Sequence, residues 1–220
     1  MISPGENSRS SDLSSPPPIG SGPAPPRSGL LADRAFMEVR FGGTGEQGVI
    51  LVGVLLAMAA TRDHRYVVQT QTYGLDTHEG YGHSDVVISD SPIDYPELQS
   101  ADLLVALSQD SADGYAHLLR PDSILVYDSE EVTTPPQSAA MSFGIPFTRL
   151  AMEENGASEI TPNVFTLGAV VGITGVVSAD SLKRAVMSTV TPGNEEANRK
   201  ALARGLALDP DEWKRSGACS

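Results

Sequence analysis

Apolar and polar side chains alternate along Met37-Glu38-Val39-Arg40-Phe41, the two-residue period of a short strand, and Gly42-Gly43-Thr44-Gly45-Glu46-Gln47-Gly48 ends it in a glycine turn. Residues 49–61 are uncharged and rich in Ala and Leu, which predicts a buried helix packed on a sheet. Tyr66-Val67-Val68-Gln69 predicts a second strand, residues 70–84 a long irregular loop, and residues 85–89 a third strand. Residues 101–107 form a continuous apolar run after Asp102 is set aside, residues 111–119 a short helix, and residues 123–127 a strand that ends at Asp128. Residues 146–150 read as one more strand.

From Asn163 the pattern turns helical and stops near Gly175, with small residues spaced for close packing. Ser178 or Asp180 caps a helix over 181–190, where Leu182, Val186 and Val190 share a face. Residues 192–207 predict a last helix, with Glu195 and Glu196 at the positive end of its dipole. Strands apolar on both sides, separated by helical lengths, predict an α/β domain: a single doubly wound, mainly parallel sheet with helices on both faces, Rossmann-like.

Composition sets the limits of that domain. Residues 1–36 hold seven prolines, eight serines and four glycines and cannot bury enough apolar surface to offset chain entropy, so they predict a disordered tail. The folded unit is expected over 37–207, with a C-terminal tail over 208–220. The formal net charge is −13, and the tail is balanced, so the folded part carries all of it. Such a surface repels a phosphate backbone and excludes nucleic acid as the expected partner. The longest apolar run is too short to span a bilayer and no basic region precedes an apolar leader, which predicts a cytoplasmic protein with no membrane partner. Cys219 is the only cysteine, so neither an internal disulfide nor a four-cysteine cluster can come from this chain.

Gly43-x-Gly45-x-x-Gly48, after a strand and before a helix, has the spacing of a dinucleotide fingerprint. That fingerprint expects an acid at the end of the second strand, where Gln69-Thr70-Gln71 stands, and Glu46 adds negative charge to the turn. A glycine turn that serves packing or another ligand is the competing reading.

Phe41 to Val49, the run Gln69-Thr70-Gln71-Thr72-Tyr73-Gly74, Ser84-Asp85-Val86 and residues 163–169 together resemble the gamma-type subunit of 2-oxoacid:ferredoxin oxidoreductases, with Gln-Thr-Gln-Thr-Tyr-Gly most similar to the 2-oxoglutarate type. The resemblance covers residues 38–206. It implies a subunit of an enzyme that decarboxylates a 2-oxoacid on thiamine diphosphate, forms an acyl-CoA and passes electrons through iron–sulfur clusters to ferredoxin. It further implies that this chain alone holds no cofactor. Thiamine diphosphate, Mg and the iron–sulfur clusters are expected on thiamine-binding alpha- and beta-type partners and a ferredoxin-like subunit. On the same resemblance, Gly43, Gly45, Gln47 and Gly48 are the expected cofactor-contacting residues, Tyr73, Gly74, Asp76, His78 and His83 the expected substrate-contacting ones, and no residue is catalytic. Where the family reads Tyr-Gly-Pro-Glu-Ala-Arg-Gly-Gly-Ala-Ser-Arg-Ser, residues 73–84 carry His78 and His83 in place of both arginines. An imidazole is mostly neutral at pH 7 where a guanidinium is a permanent cation, which leaves CoA use and the identity of the 2-oxoacid open.

Other candidates divide between function and plain structure. His78, Glu79 and His83 offer a metal set, but their spacing matches no metal motif, and solvated or hydrogen-bonded histidines are the simpler reading; no metal site is expected. Tyr73 and Asp76 either orient substrate or pack at a subunit interface. Asn163 follows Pro162 at a helix start, and Ser108-Gln109-Asp110 closes an apolar strand, where it either caps a helix or meets ligand. No Gly-x-Ser-x-Gly elbow is present. A non-catalytic module that binds a nucleotide or a partner protein is the alternative function.

Overall fold

The computed structural model describes residues 25–72, 81–153 and 162–215. Seven strands, β1 (Phe36–Gly43), β2 (Tyr66–Thr72), β3 (Gly82–Ser89), β4 (Ala101–Ala106), β5 (Leu119–Asp128), β6 (Met141–Ile145) and β7 (Lys214–Arg215), form one sheet in the order β2-β3-β1-β4-β5-β6-β7. The pairings β1/β4, β4/β5 and β5/β6 are parallel. Both neighbours of β3 are antiparallel to it, as is β7 to β6, so β3 and β7 alone run against the other five strands. The mainly parallel α/β sheet expected from the sequence is therefore present.

Strand alternation gives the sheet two unlike faces. Met37, Val39, Phe41, Val86, Ile88, Leu103, Val105, Ile124, Val126, Phe143 and Ile145 point into the larger core, with side chains of α1 (Val49–Arg62), α3 (Phe147–Glu153), α4 (Pro162–Thr174), α5 (Ala179–Met187) and α6 (Glu195–Leu206). Leu104, Ala106, Leu125 and Tyr127 point the other way, toward α2 (Gln109–Tyr115). α4 is buried nearly all round because it lies between the sheet and α6. Its small residues permit that crossing: a β-carbon on Gly168 would lie 2.8 Å from Leu202 O, and one on Gly172 would lie 2.8 Å from Leu206 O.

Several expected boundaries move. The residues read as an irregular loop over 70–84 supply the end of β2 and the start of β3, which pair in register from Tyr66–Ser89 to Thr72–His83. Pro146 ends a strand rather than starting one, since it has no N–H for the ladder, and Phe147, Leu150 and Ala151 are buried at helical spacing in α3. The last long helix begins at Glu195, after a turn closed by Asn194 N donating to Thr191 O at 3.1 Å. α7 (Pro210–Trp213) and β7 extend the folded unit beyond residue 207.

The residues just before β1 are also part of the fold. Leu31 is 1% exposed within the larger core, and its N–H donates to Thr174 O at 2.7 Å. Arg34 pairs with the buried Asp102, which also accepts from Glu38 N at 2.8 Å and from Arg120 Nη2 at 2.6 Å. The Pro/Ser/Gly-rich composition thus runs past the point where structure begins, because a single buried leucine and a charge pair fix residues that composition alone assigns to a tail.

Candidate functional site

The chain leaves β1 through α1 toward β2 on one side and returns to place β4 on the other, so the switch point lies between β1 and β4. Open α/β sheets bind ligands outside the carboxyl ends of the strands at such a point. A cleft of about 450 Å³ lies there, lined among others by Thr44, Gln47, Ser108, Asp128, Thr148 and Asn163.

One wall is the glycine turn. Residues Gly45–Gln47 make a single 3-10 turn, and Gly48 at φ +63° reverses the chain into α1. That left-handed conformation is cheap only for glycine. The Gln47 amide fixes the turn from both ends: Oε1 accepts from Thr44 N at 2.7 Å and Nε2 donates to Leu107 O at 2.6 Å. The expected cofactor contact Gln47 therefore has its side chain engaged between the turn and the end of β4. Gly43, Gly45 and Gly48 belong to the same turn but are not among the cleft-lining residues, and among the described residues the lining holds no Lys or Arg.

The opposite wall holds a group that sequence reasoning missed. Asp128, at the carboxyl end of β5, is 3% exposed, and Oδ1 accepts from Glu130 N at 2.9 Å. Burial pushes its carboxyl pKa up, with the backbone N–H groups of Glu130 and Thr148 opposing the shift and the charges of Glu131 and Glu130 adding to it. The signal that could have found it is an acid at the end of an apolar strand, where open α/β sheets place their ligand-binding loops.

The candidates from the sequence fall into place unevenly. Ser108 is both cap and cleft residue: its side chain accepts from Ser111 N at 3.3 Å at the start of α2, and it lines the cleft. Gln109 instead clips a loop, with Oε1 accepting from Thr133 N and Thr134 N at 3.0 Å each. Asn163 stands in the first turn of α4 against Gly48 and also lines the cleft. His83 is elsewhere. Its Nδ1 lies 2.9 Å from Tyr115 Oη, its Nε2 lies 3.8 Å from Asp85 Oδ2, and it is not among the cleft-lining residues. Asp85 forms a bidentate pair with Arg40 at 2.7 and 2.6 Å, and the Arg40 guanidinium stacks 4.6 Å above the Tyr115 ring. Burial, then the Arg40 charge, pushes the His83 pKa below its usual value. Tyr73, Gly74, Asp76 and His78 lie outside the described residues. The flanking Gly82 pairs with Gly43, so that connection leaves the sheet at the same end as the glycine turn.

A profile of the pyruvate ferredoxin/flavodoxin oxidoreductase family matches residues 38–208. The chain belongs to this family. Among its relatives, the 2-oxoglutarate synthase subunit KorC of Methanocaldococcus jannaschii is 40% identical over 174 residues, 78% of this chain and 92% of its own. KorC of Methanothermobacter marburgensis is 39% identical over 178 residues, 78% of this chain and 95% of its own. The keto/oxoacid ferredoxin oxidoreductase gamma subunit of Geobacter sulfurreducens has the same fold at TM-score 0.73 and 36% identity, covering 83% of this chain and all of that one. The chain is thus a gamma-type member of the family, one subunit of a multisubunit oxidoreductase. No helix among the described residues is long and apolar enough to cross a membrane.

Proposed function

We propose that this gamma-type chain serves a 2-oxoacid:ferredoxin oxidoreductase that converts 2-oxoglutarate to its acyl-CoA, with thiamine-binding and ferredoxin-like partner subunits. The observation that carries this reading is the nearly full-length match to two 2-oxoglutarate synthase subunits at about 40% identity. The residues present do not fit thiamine diphosphate or an iron–sulfur cluster. A diphosphate needs a metal or cations, whereas among the described residues the cleft lining offers Asp128 and Glu131 with no Lys or Arg, and a single cysteine cannot hold a cluster. The chain's own contribution is a preformed wall: the Gln47-fixed turn, the hydroxyls of Thr44, Ser108, Thr148 and Thr166, and the Asn163 amide give neutral hydrogen-bonding groups at the switch point. On the family resemblance, Tyr73, Gly74, Asp76 and His78 contact substrate, in a cytoplasmic enzyme.

The test is purification of the native complex through this chain, identification of its subunits by mass spectrometry, and assay of CoA-dependent viologen reduction with 2-oxoglutarate, pyruvate and 2-oxoisovalerate. The expected result is a thiamine-binding partner and highest kcat/KM with 2-oxoglutarate. Recovery without a thiamine-binding subunit turns the assignment to a non-catalytic nucleotide- or partner-binding module.

A further inference from the structure

β2 is the outer strand at one edge of the sheet, and its pairing with β3 runs over seven residues without a register shift. The direction of its free backbone groups follows from two contacts. Thr70 O lies 3.5 Å from Ser84 Oγ, and a β-carbon on Gly82 would lie 2.9 Å from Thr72 O, so both carbonyls face β3. In an antiparallel ladder, alternate residues turn their N–H and C=O groups to the same neighbour. Val67, Gln69 and Gln71 therefore present theirs to the outside.

Edges of this kind are ordinarily blunted by charge, proline, a bulge or shortness. β2 has none of these protections: Tyr66-Val67-Val68-Gln69-Thr70-Gln71-Thr72 contains no charged residue and no proline. The opposite edge, β7, is two residues long and consists of Lys214 and Arg215. Among the described residues, one edge is protected and the other is left open.

We propose that the open edge of β2 is the seam to which a different subunit of the oxidoreductase adds a strand by main-chain pairing. The added strand is extended, free of proline and uncharged in register. It carries a small or β-branched side chain opposite Val67 and hydroxyl or amide side chains opposite Gln69 and Gln71, which match the half-exposed valine and the two polar side chains of the edge. A second copy of this chain is the poorer occupant, since two chains of net charge −13 repel. This inference rests on the chain being one subunit of a complex and not on which 2-oxoacid that complex uses.

The complex is co-expressed with a tag on this chain and captured with Gln69→Pro, Gln71→Pro, Gln69→Ala and Gln71→Ala variants. Proline removes one outward N–H and fits an edge strand without breaking a bond to β3, whereas alanine keeps the N–H. Partner capture is expected to match wild type for both alanine variants and to fall about tenfold or more for each proline variant, the weight of one lost hydrogen bond in a binding constant. In the unmodified chain, the Val67, Gln69 and Gln71 amides should exchange freely when it is isolated and become protected in the complex. Proline variants that capture partner as well as their alanine counterparts overturn the proposal, as do edge amides that stay exchangeable in the complex. A dimer of the isolated chain with these amides protected overturns it in favour of self-pairing. A complex that assembles through this edge but lacks 2-oxoacid activity defeats the activity assignment and leaves the seam standing.

Discussion

Asn163 and Gly48 lie so close together that any β-carbon on Gly48 would overlap the Asn163 amide. Two penalties therefore combine at this position, the left-handed φ of +63° and the lack of room. Gly48→Ala is expected to destabilise the chain by about 1–3 kcal/mol, measured as a lower urea midpoint at constant slope. The double variant with Asn163→Ala relieves the overlap but not the strain, so it should recover only part of the loss. Full recovery would show that φ at Gly48 costs nothing.

Leu31 tests where the folded unit begins. It is 1% exposed in the larger core. Leu31→Ala should cost about 2–5 kcal/mol, in the range of buried leucine truncations. A neutral result would place residues 28–35 outside the cooperative unit.

His83 sets the behaviour on the acid side. Its folded pKa is lowered by burial and by Arg40, so the neutral imidazole is favoured in the folded chain. This contribution to stability is present above the unfolded value of about 6.5 and is lost as pH falls through the lower folded pKa. His83→Gln should make the melting temperature less sensitive to acidification below that value. Titration of the His83 ring by NMR checks the direction: a midpoint at or above an ordinary histidine's would contradict it.

Asp128 has the opposite effect. Its folded pKa is raised, chiefly by burial, so the folded state binds the proton more tightly than the unfolded state. Relative stability therefore increases as pH falls through the folded pKa toward 3.8 and is lowest above it. Asp128→Asn keeps an oxygen acceptor for Glu130 N and removes the buried charge. It should raise the melting temperature at pH 7 and flatten this part of the pH profile. A lower melting temperature at pH 7 would mean that the carboxylate is better satisfied than its burial implies.

Much of the fold was legible because some segments allow only one solution. β4 is apolar on both faces and fits only a central strand, and the small residues of α4 anticipate its crossing with α6. Short elements were not legible: Phe147, Leu150 and Ala151 are too few to establish a helical period, and β2 beyond Gln69 shows only polar residues. The cleft was half legible. The glycine turn announces itself locally, whereas Asp128 becomes part of a site only when a parallel sheet brings the ends of β1, β4 and β5 together.

The sheet order also governs how the chain can fold in time. Glu38 and Asp102 meet at the centre of the sheet although 64 residues separate them, and β2 and β3 must be laid down between them. The β2–β3 pairing closes over the nine residues between Thr72 and Gly82, while the β1/β4 junction requires a much larger separation to close before any contact rewards it. The switch point between β1 and β4 is thus completed after the β2–β3 pairing. A nascent chain that has emerged only through β3 would carry its glycine turn without the Leu107 carbonyl that Gln47 needs.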